Sequence, residues 1–383
     1  MARVEVKVKP EMIRWALERS ARRAEDLHER FPKLAAWEEG LVCPTLKQLE
    51  DFAKAARVPI GYLFLNAPPE ERVPIQDLRT MAMRGVRRPS PDLLDVIYLC
   101  QGRQEWYRDY ARITGEPARR FVGSATLQDS IETVAGRMRC ELGLDIEERQ
   151  RIPTWTHALR RFVEQADELG VLVMISSVVG ANNRRKLDPE EFRGFALCDE
   201  LAPLVFINGT DTKAAQMFTL AHELAHLWLG ESALSDVGPV TVPTSAIEKW
   251  CNRVAAELLV PLDSLRAEYR TDADLQGELN RLAQHYKVST LVVLRRIYDA
   301  GALSRDELWY NYEHELERLR HMAEVSGGDF YLSQTARAGK RFARALITST
   351  FEGHTSFTEA FRLLGVRKVE TLYRFGHELG IVF

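Results

Sequence analysis

The sequence predicts an α+β chain that is mostly helical, with a small β-sheet set in its middle third. Three observations carry this. Apolar residues with helical spacing and cap residues mark short helices over 11–65, longer ones over 93–142, and a helix pair over 275–300. Strand-like stretches gather between residues 171 and 207. Residues 218–229 then read as one buried helix in which His222, Glu223 and His226 fall within a single five-residue window.

The bulk numbers set the frame. With 383 residues and 45% hydrophobic content the chain can bury a sizeable core, and its length favours two or three domains. The apolar run at 171–175 is broken by Ser176 and Ser177, and the N-terminus has no apolar signal core. A soluble, cytoplasmic protein without a membrane contact is therefore expected. Five cysteines without a C-x-x-C pair argue against a disulfide framework and against a thiolate zinc site. A net charge of −3 attracts neither nucleic acid nor anionic membrane globally.

Taken in order, residues 4–9 alternate Val-Glu-Val-Lys-Val-Lys, a short strand, before Pro10 opens a helix. Helices are predicted near 11–20, 24–30, 33–39, 45–56 and 59–65, with Gly40 as a stop, Thr45 as an N-cap and Pro59 as a start. This order, with Trp37-Glu38-Glu39-Gly40, Pro44-Thr45-Leu46-Lys47-Gln48-Leu49 and Val58-Pro59-Ile60-Gly61-Tyr62-Leu63-Phe64, resembles the XRE-type helix-turn-helix domain of phage-like repressors over about residues 10–67. The resemblance places a recognition helix at 32–38 and makes Lys33 and Arg30 the candidate DNA contacts. That helix offers almost no amide or hydroxyl to a base edge. Across residues 1–75, 13 Lys+Arg meet 12 Asp+Glu. Operator binding and a dimerisation or partner-docking role both stay open.

The first domain is placed at 1–78, and 79–150 is read as a linker and helical neck. Arg79, Arg84, Arg87 and Arg88 precede Pro89-Ser90-Pro91, a solvated linker rather than a phosphate-binding run. Ser90 or Asp92 caps a long helix carrying Leu93, Ile97, Trp106 and Tyr110, and another helix follows near 126–142. A third domain, 151–325, begins with a helix through Phe162 and Leu169, the strand 171–175, a polar loop at 182–186, and strands at 192–198 and 203–207. Asp211 or Thr212 caps the next helix. A sheet edge near a metal helix can add an extended substrate by backbone hydrogen bonds, and 192–198 or 204–208 is the candidate strand.

Two histidines four apart lie one above the other on a helix, so both imidazoles can reach one Zn²⁺, while Glu223 can hold the metal-bound water. A catalytic zinc needs a third protein ligand and an open position. The long H-E-x-x-H-x-x-G-x-x-H motif is absent, because Leu229 and Ser232 stand where its Gly and last His would fall. Residues 245–261 read as a helix ended by Pro261, with Glu248 and Asn252 on one face, so that Glu248 can bind metal while Asn252 braces a ligand. Glu257 is the alternative, two and a half turns on.

Phe218-Thr219-Leu220-Ala221-His222-Glu223-Leu224-Ala225-His226-Leu227, followed by Ile247-Glu248 and Cys251-Asn252-Arg253-Val254-Ala255-Ala256-Glu257-Leu258-Leu259-Val260-Pro261, resembles the ImmA/IrrE metallopeptidases over about residues 150–300. The resemblance implies a zincin-like core with His222, His226 and Glu248 as metal ligands, Glu223 as catalytic base, and zinc-dependent cleavage of helix-turn-helix repressors that derepresses phage-like or stress genes. Cys251 departs from the family's usual Ala and is read as a small buried residue. His285 and Tyr286 are considered as oxyanion donors, with a helix-surface position preferred for both.

The helix pair at 275–300 is expected to support the peptidase core, and Gly327-Gly328 marks a boundary before a helical domain at 326–383. Residues 333–383 carry 8 Lys+Arg against 4 Asp+Glu, with helix-turn-helix spacing at 358–374. Arg367, Lys368 and Arg374 are candidate nucleic-acid contacts, although a cap on the peptidase that binds a partner protein is preferred. The expectation is thus a zinc endopeptidase acting on a regulatory protein, such as a repressor or toxin–antitoxin partner, with DNA binding and a homodimer as further possibilities. The alternative is a DNA-binding regulator or antitoxin-like protein whose metal domain senses or scaffolds.

Overall fold

Pro10, whose ring presets φ and which has no N–H to leave unpaired, starts the first helix of the chain. The computed structural model describes residues 4–20, 23–78, 89–235, 245–322 and 335–381. The described residues of Met1–Pro74 and Met83–Ile97 form one compact unit, and those of Ile75–Ala82 and Tyr98–Phe383 form a second. The arginines at 79, 84, 87 and 88 and the Gly327-Gly328 boundary lie outside the described residues.

In the first unit, α1 (Pro10–Arg19), α2 (Ala24–Arg30), α3 (Leu34–Glu38) and α4 (Leu46–Ala56) enclose Met12, Ile13, Leu27, Leu34, Trp37 and Phe52. Phe52 meets Phe31 and Trp37 edge-on, at centroid distances of 5.8 and 6.2 Å. Thr45 caps α4 reciprocally with Gln48, and Arg57 ends it in the left-handed region. The expected fifth helix is a tighter 3₁₀ turn, Ile60–Phe64, five residues long and preceded by Pro59. The strand expected at 4–9 reduces to one bridge, Glu5 to Thr45, since no second strand lies beside it.

The second unit is built on a five-stranded mixed sheet in the order β1 (Gln76–Asp77), β7 (Ala233–Ser235), β5 (Gly194–Leu197), β6 (Leu204–Asn208), β2 (Leu172–Ser176). β5 runs antiparallel to both neighbours, whereas β2 pairs parallel with β6 and β1 parallel with β7. This corrects the sequence expectation about the sheet edge: β5 and β6 are both interior strands, so neither has a free edge to offer a substrate. The predicted polar loop at 182–186 is a strand, β4 (Asn182–Lys186), paired with β3 (Val178–Val179). Its exposed, wholly polar residues carry no alternation to mark it.

Helices cover this sheet. α5 (Pro91–Thr114) begins in the first unit and contributes 98–114 to the second, and Ser90 Oγ accepts the Leu93 N–H at its start. α6 (Ile131–Leu142), α7 (Ile146–Arg151) and α8 (Trp155–Leu169) follow, then α9 (Lys213–Leu229), α10 (Ala246–Leu259), α11 (Leu262–Glu268), α12 (Leu275–Tyr286), α13 (Thr290–Asp299) and α14 (Arg305–Met322). One apolar cluster joins α6, α8 to α10, α12 and α13, as expected for a helix pair that supports the core.

The C-terminal helices α15 (Lys340–Phe351), α16 (Phe357–Leu364) and α17 (Val369–Glu378) belong to this same unit. Arg103 of α5 donates to the carbonyls of Leu363 (2.9 Å) and Arg337 (2.7 Å), and Arg341 of α15 donates to Tyr107 Oη (2.7 Å) and Glu116 (3.0 Å). Gly339 lies against β2 so closely that a Cβ there would come within 2.8 Å of Val173 O. No helix among the described residues is long and apolar enough to cross a membrane.

Leu220 sits in α9 with no exposed surface. Leu220→Ala is expected to lower stability by about 2–5 kcal/mol through lost burial and the residual cavity, to be read from the midpoint of chemical denaturation.

Candidate metal centre

α9 is held at both ends. Thr212, the residue that caps it, accepts the Ala215 N–H at 3.2 Å. At the other end Gly230 turns the chain through φ +76°, and the N–H groups of Gly123 and Ala125 satisfy the carbonyls of Leu227 (3.0 Å) and Trp228 (2.9 Å). Phe121 stacks on Trp228 at 4.3 Å. Every residue from Gln216 to Trp228 is buried, so His222, Glu223 and His226 sit on a helix with no wet face.

α10 packs along α9 and is anchored at its C-terminus, where Pro261 ends the helix. Arg139 donates to Glu257 O (2.7 Å), Arg149 to Leu259 O, and Arg296 to Val260 O (2.9 Å). Three guanidinium groups thereby meet carbonyls left over at the negative end of the helix dipole. Arg296 also pairs with the Glu257 carboxylate, which accepts the Leu262 N–H as well. Glu257, the alternative third ligand, is thus committed to an ion pair. Glu248 is the carboxylate turned to the histidines.

The resulting cluster is tight. His226 Nε2 lies 3.1 Å from His222 Nε2 and 3.1 Å from Glu248 Oε1, and His222 Nε2 lies 3.3 Å from Glu248 Oε2. Ligands of one tetrahedral zinc, about 2.0–2.1 Å from the ion, stand roughly 3.3 Å apart. The three donors therefore fit a divalent ion among them, and His222, His226 and Glu248 form the one group of this kind found among the described residues. With Nε2 as ligand the proton of each ring moves to Nδ1, and neither Nδ1 has a hydrogen-bond acceptor. Asn252 does not act as one: its Oδ1 is buried without a partner.

Ser235, at the end of β7, has no signal in the sequence. Its Oγ lies 3.3 Å from His226 Nε2 and 3.5 Å from both Glu223 Oε2 and Glu248 Oε1. β5 closes the other side, where a Cβ on Gly194 would fall 2.7 Å from Thr219 Cγ2 and 2.9 Å from Glu223 Oε1. Only glycine lets the strand pass so near the acid.

Burial, then the charge of Glu248, push the Glu223 carboxyl well above its ordinary range, against the Ser235 hydroxyl. Burial acts on Glu248 in the same sense, but the two imidazoles outweigh it and hold that carboxyl below its ordinary range. Burial lowers His226, opposed by its hydrogen bond to Glu248. Burial also keeps the nearby thiols protonated: Cys198 is pushed up to about 12, and Cys251 rises well above the usual thiol range. Cys251 is a small packed residue with no exposed surface, as the sequence suggested.

The other candidates stand elsewhere. His285 hydrogen-bonds Gln150 and the Tyr286 hydroxyl meets Ser264 Oγ at 2.8 Å. Tyr286 is fully buried rather than on a helix surface, because α12 turns it into the core. Arg30, Lys33, Arg367, Lys368 and Arg374 are exposed, Arg30 lying over the Phe31 ring at 5.4 Å.

Two measurements follow. In metal analysis of purified protein, His226→Ala and Glu248→Ala are expected to lose bound zinc, whereas Glu257→Ala retains it and loses thermal stability; zinc retained by Glu248→Ala would remove that residue from the ligand set. Gly194→Ala is expected to cost about 1–3 kcal/mol through overpacking, seen as a lowered melting temperature.

Among curated proteins, none matches this chain. Residues 338–378, which hold α15 to α17, match a domain of unknown function, DUF8813. Both family matches lie outside residues 1–78. Residues 166–298, which include α9, α10 and all three candidate ligands, match the IrrE N-terminal-like domain, Peptidase_M78, and so this part of the chain is similar to metallopeptidases of the ImmA/IrrE type.

Proposed function

We propose that the chain is a zinc-dependent endopeptidase that cuts a regulatory protein partner, such as a helix-turn-helix repressor, and thereby controls transcription. The observation that supports this most strongly is the convergence of two imidazoles and one carboxylate, all buried, beside a second carboxylate that takes no part in the ligand triangle. A bound zinc ion supplies Lewis acidity, activating water and polarising a scissile carbonyl.

The residues divide the remaining work. His222 and His226 would hold a divalent ion through Nε2 and Glu248 through one carboxylate charge, so the ion with its three ligands would stay net positive. Glu223 has one oxygen facing Ser235 and one, Oε1, without a hydrogen-bond partner. A carboxylate with one oxygen free beside the ligand triangle is placed to accept a proton from water and pass it to the leaving amine. Ser235 holds the orientation of that carboxylate from the strand side. α9 and the Gly194 strand exclude bulk water around the group.

The exposed Arg30 and Lys33, and Arg367, Lys368 and Arg374, are assigned to partner docking in this reading, because the N-terminal unit has a net charge too small to hold DNA by phosphates alone.

The test uses zinc-loaded full-length protein with β-casein as an unfolded probe and with a purified helix-turn-helix repressor as the specific substrate. Glu223→Gln is expected to keep its zinc and to cut about 10²–10⁴-fold more slowly. Equal rates for the zinc-loaded wild type and Glu223→Gln would overturn the assignment.

A further inference from the structure

The sheet has two outer strands. Beside β2 the chain at Gly339 closes on Val173 O. At the other end the outer strand is the two-residue β1, and inside it stands β7, fully buried along Ala233, Leu234 and Ser235, which carries Ser235 to the candidate metal centre. One edge of β7 pairs with β5. Its outer edge is taken by residues 76–78 of the chain itself: Gln76 stands opposite Ala233, Asp77 opposite Leu234, and the Leu78 N–H donates to Leu234 O at 3.0 Å.

We propose that the outer edge of β7 is the strand site on which this domain holds an extended polypeptide, and that residues 76–78 occupy it in cis. Three features argue for a replaceable occupant. β1 is two residues long with both exposed, so little apolar area holds it. Its hold on β7 is a backbone ladder, which any extended chain can make. β7, in contrast, is buried, and its outward N–H and C=O groups need some partner at all times.

The register also directs the occupant. Extending it by one residue sets Leu78 opposite Ser235, whose hydroxyl lies within 3.5 Å of Glu223, His226 and Glu248. A chain in this register therefore runs toward the metal ligands. The tethered segment competes at high effective concentration, so a substrate must displace residues 76–78. The use of the held chain rests on the endopeptidase assignment; the strand site does not.

The test compares full-length wild type, Leu78→Pro, which lacks the N–H that bonds Leu234, and Leu78→Ala, which keeps it. Binding of a fluorescein-labelled peptide of residues 72–78 is measured by anisotropy. Leu78→Pro is expected to bind about tenfold more tightly than the other two, the worth of roughly one backbone hydrogen bond. Equal binding by all three, or Leu78→Ala matching Leu78→Pro, overturns the proposal. In parallel, zinc-loaded Leu78→Pro is expected to cut β-casein several-fold faster than wild type, with unlabelled peptide inhibiting. Tight peptide binding without cleavage by any variant would leave the strand site standing and remove the endopeptidase assignment. Equal cleavage with no inhibition and no preferential binding would do the reverse.

Discussion

Four ionisable side chains, His222, Glu223, His226 and Glu248, are held out of water between two packed helices, and the rest of the second unit serves that burial. Two carboxylates in one dry pocket repel each other, and each would cost several kcal/mol to bury as an isolated charge. The imidazoles offset part of this for Glu248, leaving Glu223 with a strongly raised proton affinity. A divalent cation among the donors would reverse the balance, turning an expensive polar cluster into a coordination site. The same arrangement that is unfavourable without a cation is therefore what suits the cluster to one.

Such a cluster works only if its geometry is imposed from outside. α9 is fixed by the Thr212 cap and by the loop at Gly123 and Ala125, and α10 by three arginines on its last carbonyls. Arg296 links this anchor to α13, so the helix pair at 275–300 reaches the site through the carboxyl end of α10. The close pass of β5 at Gly194 completes the wall beside Glu223. These supports run from Gly123 to Arg296, so they begin well ahead of the matched residues 166–298.

The chain on either side of that match is tied to it. Residues 76–78 enter the sheet as a strand, and Arg103 and Arg341 clamp the C-terminal helices to α5. Residues 76–78, read along the sequence as the end of the first domain, and the C-terminal helices, read as a separate tail, both belong to the second unit. The strand at 76–78 matters most, since it lies on the strand that leads to the candidate metal centre.

The metal helix was legible because its chemistry is local: two histidines four apart and a glutamate between them must share a helix face. The helix of Glu248 was legible for a similar reason, its proline stop and apolar periodicity setting its length. The count of turns favoured Glu248 and left Glu257 as the alternative, which its ion pair with Arg296 in the structure commits elsewhere. Ser235, the glycine at 194 and the strand order were not legible, since a three-residue strand has no period and contacts between strands 40 to 160 residues apart leave no local trace. That is why the expected substrate edges, β5 and β6, turned out to be interior, and why Asn252 shares a face with Glu248 yet braces no imidazole. By itself, then, the sequence determined which residues can bind a metal and move a proton, because helix geometry places neighbours four apart. Only the tertiary structure decided which backbone edge faces them and what already lies on it, because sheet order is set by packing between distant segments.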